Sequence, residues 1–408
     1  MRKVAVIGAG SAGLMAAIIS AENPNNDVTL FEKNSRVGRK LMITGKGRCN
    51  VTNNCDIDTL MANIPKNARF LYSAFNNFSS ADTISFFESH GVPLKTERGN
   101  RVFPVSDKAV DIVDALYKAV QKSNIRIVND KVEHIVCDQN RVSGVKLNDG
   151  DFDADSVIIA TGGLSYPLTG STGDGYRFAK ETGHTVTALK PSLVPLVCHE
   201  GFCSHLSGLS LKNVRLSLYK EGNKKPVFED FGEMLFTHFG ISGPLVLSAS
   251  SHIKEQKPEN YYVSIDLKPA LNEQQLDARI LRDFDEFKNK DFTNSLDKLL
   301  PKSLIPVVVK LSGIDSNTKV NQISREQRQS LCKLLKSFKL TVTDFRPIEE
   351  AIITDGGVSV KDINPTTMES KIIDGLYFAG EVIDLSAYTG GFNLQIAFST
   401  GYTAGKNA

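Results

Sequence analysis

The 408-residue chain has no tryptophan and only six cysteines, and its 48 Lys and Arg residues are nearly cancelled by 46 Asp and Glu. Each shortage narrows the possible functions. Six cysteines (Cys49, Cys55, Cys137, Cys198, Cys203, Cys332) scattered over this length are too few for the disulfide framework of a secreted domain, so a reducing cytoplasm is expected. A net charge of +2 is too small to steer the protein onto a polyanion or an anionic lipid surface. The missing tryptophans also count against a basic, aromatic-studded groove. Neither nucleic acid nor membrane is therefore an expected partner. Long apolar runs are absent too, apart from the 18 uncharged residues Val4 to Ala21 that follow Arg2 and Lys3. That run is the wrong texture for a signal peptide or a membrane span, because Gly8, Gly10 and Gly13 interrupt it. Those glycines suit a strand, a tight turn and a packed helix. With 41% hydrophobic residues, the chain can bury the cores of two to three domains without disulfide or metal staples.

The opening Lys3-Val-Ala-Val-Ile-Gly8-Ala-Gly10-Ser11-Ala12-Gly13 is a β-branched strand running into a GxGxxG turn, and an Ala-rich helix follows. A second strand, Val28 to Glu32, closes a βαβ unit. Gly8 makes the turn, Gly10 lets the backbone approach a pyrophosphate, and Gly13 allows the helix to pack closely on the strand. The amides of Ser11 and Ala12 open the helix, where its positive end favours phosphate. Glu32 stands 19 residues after Gly13 at the strand end, the place for a carboxylate that accepts ribose hydroxyls and repels a 2′-phosphate. This unit alone does not separate NAD from FAD.

Two further segments bear on that choice. Four strands, Ile125–Val128, Lys131–Cys137, Val142–Leu147 and Ser156–Ala160, are expected as a meander, and the last runs into Thr161-Gly162-Gly163. Near the C-terminus, Gly375-Leu-Tyr-Phe-Ala-Gly380-Glu381-Val-Ile-Asp384 is a strand ending in glycine and acid. Thr389-Gly-Gly391-Phe392-Asn393-Leu394-Gln395 then leads into a helix that reaches Gly405.

Together these segments resemble the two-dinucleotide-binding-domain flavoproteins. Five further runs narrow the resemblance to the bacterial BaiN / aminoacetone-oxidase-like family: Arg39–Asn53, Arg101–Pro104, Phe236–Pro244, Thr354–Val358 and Ala379–Asp384 through Asn393. The resemblance spans nearly the whole chain. It implies an α/β fold, a Rossmann-like, glutathione-reductase-like FAD-binding domain with an inserted β-barrel-like subdomain and a helical subdomain. Pattern and family together give a first FAD-domain part at 1–190, a β-rich insert at 191–270, a helical insert at 271–344 and the second FAD-domain part at 345–408. The alternating strands Val214–Tyr219 and Tyr261–Leu267 mark the β-rich insert, and the charged, helically spaced Leu271 to Leu340 marks the helical one.

The resemblance and chemical suitability also assign the cofactor contacts. Glu32 and Lys33 flank the adenosine ribose, and Arg39 and Lys40 offer charge to phosphates or are simply solvated. Gly47, Arg48, Cys49 and Asn50 form a polar turn that in the family lies against the flavin. Val132 is the adenine neighbour, and Thr161, Gly162 and Gly163 are the middle motif. Gly380 and Glu381 approach the ribityl chain and phosphates. Gly391, Phe392, Asn393 and Leu394 set amides near the pyrimidine edge, where a helix start stabilises negative charge. Gly173-Asp-Gly175 fits a packing turn as well as a ligand contact.

No second GxGxxG unit of comparable quality occurs, so any NAD(P)H would bind transiently through other surfaces. Cys49 and Cys55 are spaced Cys-x5-Cys, unlike the Cys-x4-Cys of disulfide reductases, and are assigned to packing. Cys198, His199, Cys203 and His205 lack a second dyad of finger-like spacing, so no metal is expected. No GxSxG elbow or Ser-His-Asp set is evident. The expected function is an FAD-dependent oxidoreductase moving a hydride or two electrons between a small organic substrate and flavin, with NAD(P)H a candidate second partner. An oxygen-using amine or aminoketone oxidase and a flavin-binding regulatory or RNA-associated protein without turnover are the alternatives. His238, in the shaped loop Phe236–Pro244, and Tyr388, just before Thr389, are the candidate catalytic residues; structural roles for both remain open.

Overall fold

A computed structural model describes residues 1–408. The chain divides into two compact units, Met1–Ser192 with Pro347–Ala408, and Leu193–Arg346.

In the first unit a five-stranded parallel sheet has the order Leu376–Phe378, Ser156–Ile159, Arg2–Ile7, Asn26–Phe31, Arg126–Val128. The three inner strands are buried over most of their length, which is why they read as continuous Val/Ile/Leu runs. The first helix, Ser11–Ala21, packs against the C-terminal helix, Phe392–Asn407. Glycines make that approach possible: a side chain at position 401 would lie 2.4 Å from the Ala12 carbonyl oxygen, and one at 405 would lie 2.3 Å from that of Ala16.

The expected four-strand meander is not formed. Its first and last members belong to the parallel sheet, and the middle two pair with each other in a separate antiparallel sheet whose third strand, Gly150–Asp153, the sequence reading missed. A second small sheet joins Thr52–Asn53, Arg101–Pro104 and Leu94–Glu97.

The second unit holds a closed six-stranded barrel of Leu196–Cys198, Gly240–Ser242, Phe228–Thr237, Ser210–Lys220, Tyr261–Asp266 and Phe338–Phe345. Three helices, Glu273–Glu286, Ile305–Ser312 and Arg325–Lys336, lie between the last two strands in sequence. Phe338–Phe345 corrects the reading of 271–344 as helical throughout. Its alternation of buried and exposed residues continues the amphipathic texture of the preceding helix, but with period two. No helix is long and apolar enough to cross a membrane.

Candidate cofactor site

The site is built where three chain segments of the first unit meet at the carboxyl ends of parallel strands. Gly8, at φ +99°, turns the chain out of Arg2–Ile7, and any side chain there would lie 2.7 Å from the Ala160 carbonyl oxygen. A side chain at Gly13 would sit 1.8 Å from the Gly8 carbonyl oxygen. The turn and helix therefore close on each other without room for one methyl group. Position 10 is the opposite, with no atom within 4 Å of where a side chain would start. Ser11 and Ala12 form the first turn of the helix, whose amides have no intrahelical acceptors.

Glu32 is buried next to this turn. Its Oε2 accepts from the Ala9 N–H at 2.9 Å, and its Oε1 accepts from the Asn34 N–H at 2.8 Å and the Asn34 side-chain amide at 2.6 Å. The carboxylate thus locks the glycine turn to the end of the second strand and keeps one acceptor position on Oε2 uncommitted.

The candidate cations Lys33, Arg39 and Lys40 are each engaged by another side chain. Lys33 contacts Asp174 and Thr172, each at 2.5 Å, and Arg39 donates to Asn34 Oδ1 at 2.7 Å. Lys40 reaches Glu381 Oε2 and Ser165 Oγ, both at 2.6 Å. Glu381 Oε1 accepts from Ser165 Oγ and the Thr354 N–H at 3.0 Å. Lys40, a candidate for phosphate contact, is thus paired with Glu381 in this structure. Gly163 has no side chain because Thr354 Oγ1 and Glu381 Oε1 would lie 2.5 and 2.8 Å from it. A side chain at Gly380, φ +77°, would likewise lie 2.8 Å from the Ala12 methyl group. These approaches bring the Gly8–Gly13 turn, the Thr161–Gly163 motif and Gly380–Glu381 together. Gly175 is explained by packing, since its missing side chain leaves room for Thr161 Oγ1 and Val382. Val132 is buried just before the strand His134–Asp138.

A second cluster joins the turn after Arg39–Ile43 to the start of the C-terminal helix. Gly45, Lys46, Gly47 and Cys49 all have φ between +56° and +84°, a left-handed run that costs energy at Lys46 and Cys49. Arg48 is held by Asp107 at 2.5 Å and Glu97 at 2.6 Å, and it lies 4.1 Å over the Phe103 ring. Burial pushes the Cys49 thiol up to about 12. Asn50 Oδ1 is buried without a hydrogen-bond partner, as is Thr161 Oγ1. Gly391, at φ +100°, precedes Phe392 and abuts Thr52, whose carbonyl oxygen would lie 2.3 Å from any side chain there. Asn393 exchanges hydrogen bonds with the Ala387 backbone in both directions at 2.9 Å, and Leu394 is half-buried.

The catalytic candidates lie in different units. Tyr388 is half-buried in the first unit, and burial raises its hydroxyl pKa. His238 is exposed in the tight turn between Phe228–Thr237 and Gly240–Ser242, edge-on to Phe239. Sequence reasoning missed Ser165, which has no motif of its own, and the roles of Thr354 and Gln395, although both lie in runs that carried the resemblance.

An open helix start below a glycine turn, a buried strand-end carboxylate and a partnerless Asn50 oxygen fit a dinucleotide with a polar ring. The class so defined is the Rossmann-type FAD-binding flavoproteins. The profile of the family described as HI0933-like protein Rossmann domain matches residues 2–407, and the chain belongs to that family of flavoprotein oxidoreductases. It is 31% identical to a 3-dehydro-bile acid delta(4,6)-reductase from Clostridium scindens, over 100% of this chain and 99% of the relative. It is also 31% and 30% identical to ribosomal RNA dihydrouridine synthases from Haemophilus influenzae and Escherichia coli, over 97% and 98% of this chain and 96% of each relative. Among solved structures, 3-ketosteroid delta1-dehydrogenase from Sterolibacterium denitrificans superposes with a TM-score of 0.53 at 12% identity, covering 99% of both chains, a likeness of fold.

Proposed function

We propose that this protein is an FAD-dependent reductase that saturates a carbon–carbon double bond conjugated to a carbonyl, and that its substrate is a uracil base of ribosomal RNA. One observation carries the reading. The relatives matched end to end are named for two reactions that share one chemistry, reduction of an alkene polarised by a neighbouring C=O. Two of those three relatives are named for ribosomal RNA, which favours uracil over a steroid. The net charge of +2 argued against nucleic acid as a partner, but it is a whole-chain sum and does not describe any one face.

Ser11, Ala12 and Glu32 would hold the adenosine diphosphate half of FAD. Thr161–Gly163, Gly380 and Glu381 would hold its middle, and Gly47–Asn50 with Gly391–Leu394 the ring. When bound, FAD supplies a hydride acceptor and donor, recharged by NAD(P)H in this reading. Saturating the alkene also needs a proton, which an acid of the chain delivers to the carbon next to the carbonyl. Tyr388, kept protonated by burial, is the proposed donor, with His238 the second candidate.

The test compares ribosomal RNA from the parent strain and from one lacking the gene, digested to nucleosides and read by mass spectrometry. Loss of a dihydrouridine that the cloned gene restores is expected. Unchanged dihydrouridine, with NAD(P)H consumed on adding a steroid enone, would move the substrate to the bile acid class. Oxygen-dependent turnover of an aminoketone would overturn the reductase reading.

A further inference from the structure

The C-terminal helix begins at Phe392, and its fourth residue, Gln395, is a polar side chain with no exposure at all. Every hydrogen-bonding position of its amide is used. Oε1 accepts from Thr52 Oγ1 at 2.6 Å and Thr83 Oγ1 at 2.9 Å, while Nε2 donates to the Phe78 carbonyl at 3.1 Å and to Ser399 Oγ at 2.9 Å. The orientation of the amide is fixed by its partners. The Phe78 oxygen can only accept, and Ser399 spends its own proton on that same oxygen at 2.6 Å, so both must face the NH2 group.

This network joins two segments that are distant in sequence. Thr52 lies two residues beyond Asn50, at the end of the left-handed turn, and Gln395 lies one residue beyond Leu394. The backbone of Gly391 touches Thr52 directly, and Asn53 Nδ2 donates to the Gly390 carbonyl at 3.0 Å. Helix packing alone would leave these segments free to slide along each other. A saturated buried amide fixes their register, because any shift leaves groups of Gln395, Thr52, Thr83 or Phe78 unpaired without access to water.

We propose that Gln395 is a positioning residue that sets the distance between the Gly47–Asn50 turn and the Gly391–Leu394 helix start, and so the environment of the flavin ring. The proposal rests on the reading that these two segments hold the ring. It is tested with Gln395→Met, which keeps volume and removes the hydrogen bonds, with Thr52→Val, and with Thr52→Ser, which keeps the hydroxyl. Purified holoproteins are compared by thermal melting, FAD titration, visible spectrum and flavin midpoint potential. Gln395→Met and Thr52→Val should each weaken FAD binding about tenfold and shift both spectrum and potential, with Thr52→Ser returning them toward wild type. Lower melting temperatures with wild-type affinity, spectrum and potential would reduce Gln395 to a structural residue and overturn the proposal. Should Gln395→Met fail to fold, Thr52→Val decides by the same criteria. Failure of the wild-type protein to bind FAD would instead remove the underlying reading, and this proposal with it.

Discussion

Replacing Glu32 by Gln changes the side chain by one atom, and its effect follows from the two backbone donors that the carboxylate serves. The Ala9 and Asn34 N–H groups point at opposite oxygens, 2.9 and 2.8 Å away. Glutamine has one oxygen and one NH2 group, so whichever way it turns, one backbone N–H faces another donor. Ala9 is fully buried and Asn34 only partly, so the amide should turn its oxygen to Ala9 and leave Asn34 to recruit water. The cost is then that of the two bonds Oε1 accepts from the Asn34 N–H and side-chain amide, at least about 1.5–3 kcal/mol, without the further penalty of a stranded buried donor. Denaturant titration of FAD-free Glu32→Gln should show this loss in the transition of the first unit. Glu32→Ala, which also removes the proposed ribose acceptor, should weaken FAD about 10- to 100-fold when about 1.5–3 kcal/mol is converted at 1.4 kcal/mol per decade. Wild-type stability in the first variant together with wild-type FAD affinity in the second would refute the role given to this carboxylate.

Gly13→Ala should abolish FAD retention and destabilise the first unit, because its methyl group would lie 1.8 Å from the Gly8 oxygen; a yellow, normally melting variant would contradict the geometry. Burial holds the Cys49 thiol at about 12 and the Cys55 thiol at about 11, so both are protonated at neutral pH. Cys49→Ser and Cys55→Ser should therefore leave flavin reduction by any competent donor largely intact, and a charge-transfer band lost in either variant would reverse this. Burial also lowers the pKa of His184, which sits between Thr182 and Ser370. The unfolded chain takes up a proton at the ordinary histidine pKa while the folded one resists, so stability is full above that pKa. It falls as pH drops through it toward the folded value, by at most about 1.4 kcal/mol per pH unit. His184→Gln should flatten that slope in melts between about pH 7.5 and 5.5, and an unchanged slope would assign it elsewhere. Under the proposed reaction, Tyr388→Phe should slow dihydrouridine formation with FAD content unchanged, and a fall that appears only in His238→Ala would transfer the proposed proton donor's role to that residue.

The nucleotide-binding turn was legible in the sequence because its demands fall on the backbone. Gly8, Gly13 and Gly380 stand where a side chain would strike another part of the fold, and such demands leave a mark at each position alone. Strand existence was legible for a similar reason, since burial on both faces forces runs such as Val4–Ile7 and Val157–Ile159. Strand partnership was not. Arg126–Val128 and His134–Asp138 have much the same texture, yet one is the edge of the parallel sheet and the other belongs to a separate antiparallel one. Local alternation says which face is buried and leaves open what buries it. Phe338–Phe345 shows the same limit, because a barrel needs a closing strand and nothing within eight residues states where closure falls.

Side-chain pairing was the part of the site that could not be read, and this has a chemical consequence. Lys40 and Glu381 are 341 positions apart, and each alone looks like a group waiting for a ligand. Paired, they are about four-fifths buried and close to neutral together, so the phosphates of a bound dinucleotide would meet neither a bare cation nor a bare anion there. In the proposed reading, binding energy at that point comes from backbone amides and the open start of the first helix, whose partial charges are fixed by the fold. The same reasoning applies to Arg48, which Glu97 and Asp107 hold against Phe103. Its guanidinium braces the left-handed turn, and the groups that turn leaves for a ligand are the uncommitted ones, above all the partnerless Asn50 oxygen. Apart from Glu32, the charged side chains of this site are thus committed to holding its shape, which leaves shape and dipole for a ligand to meet.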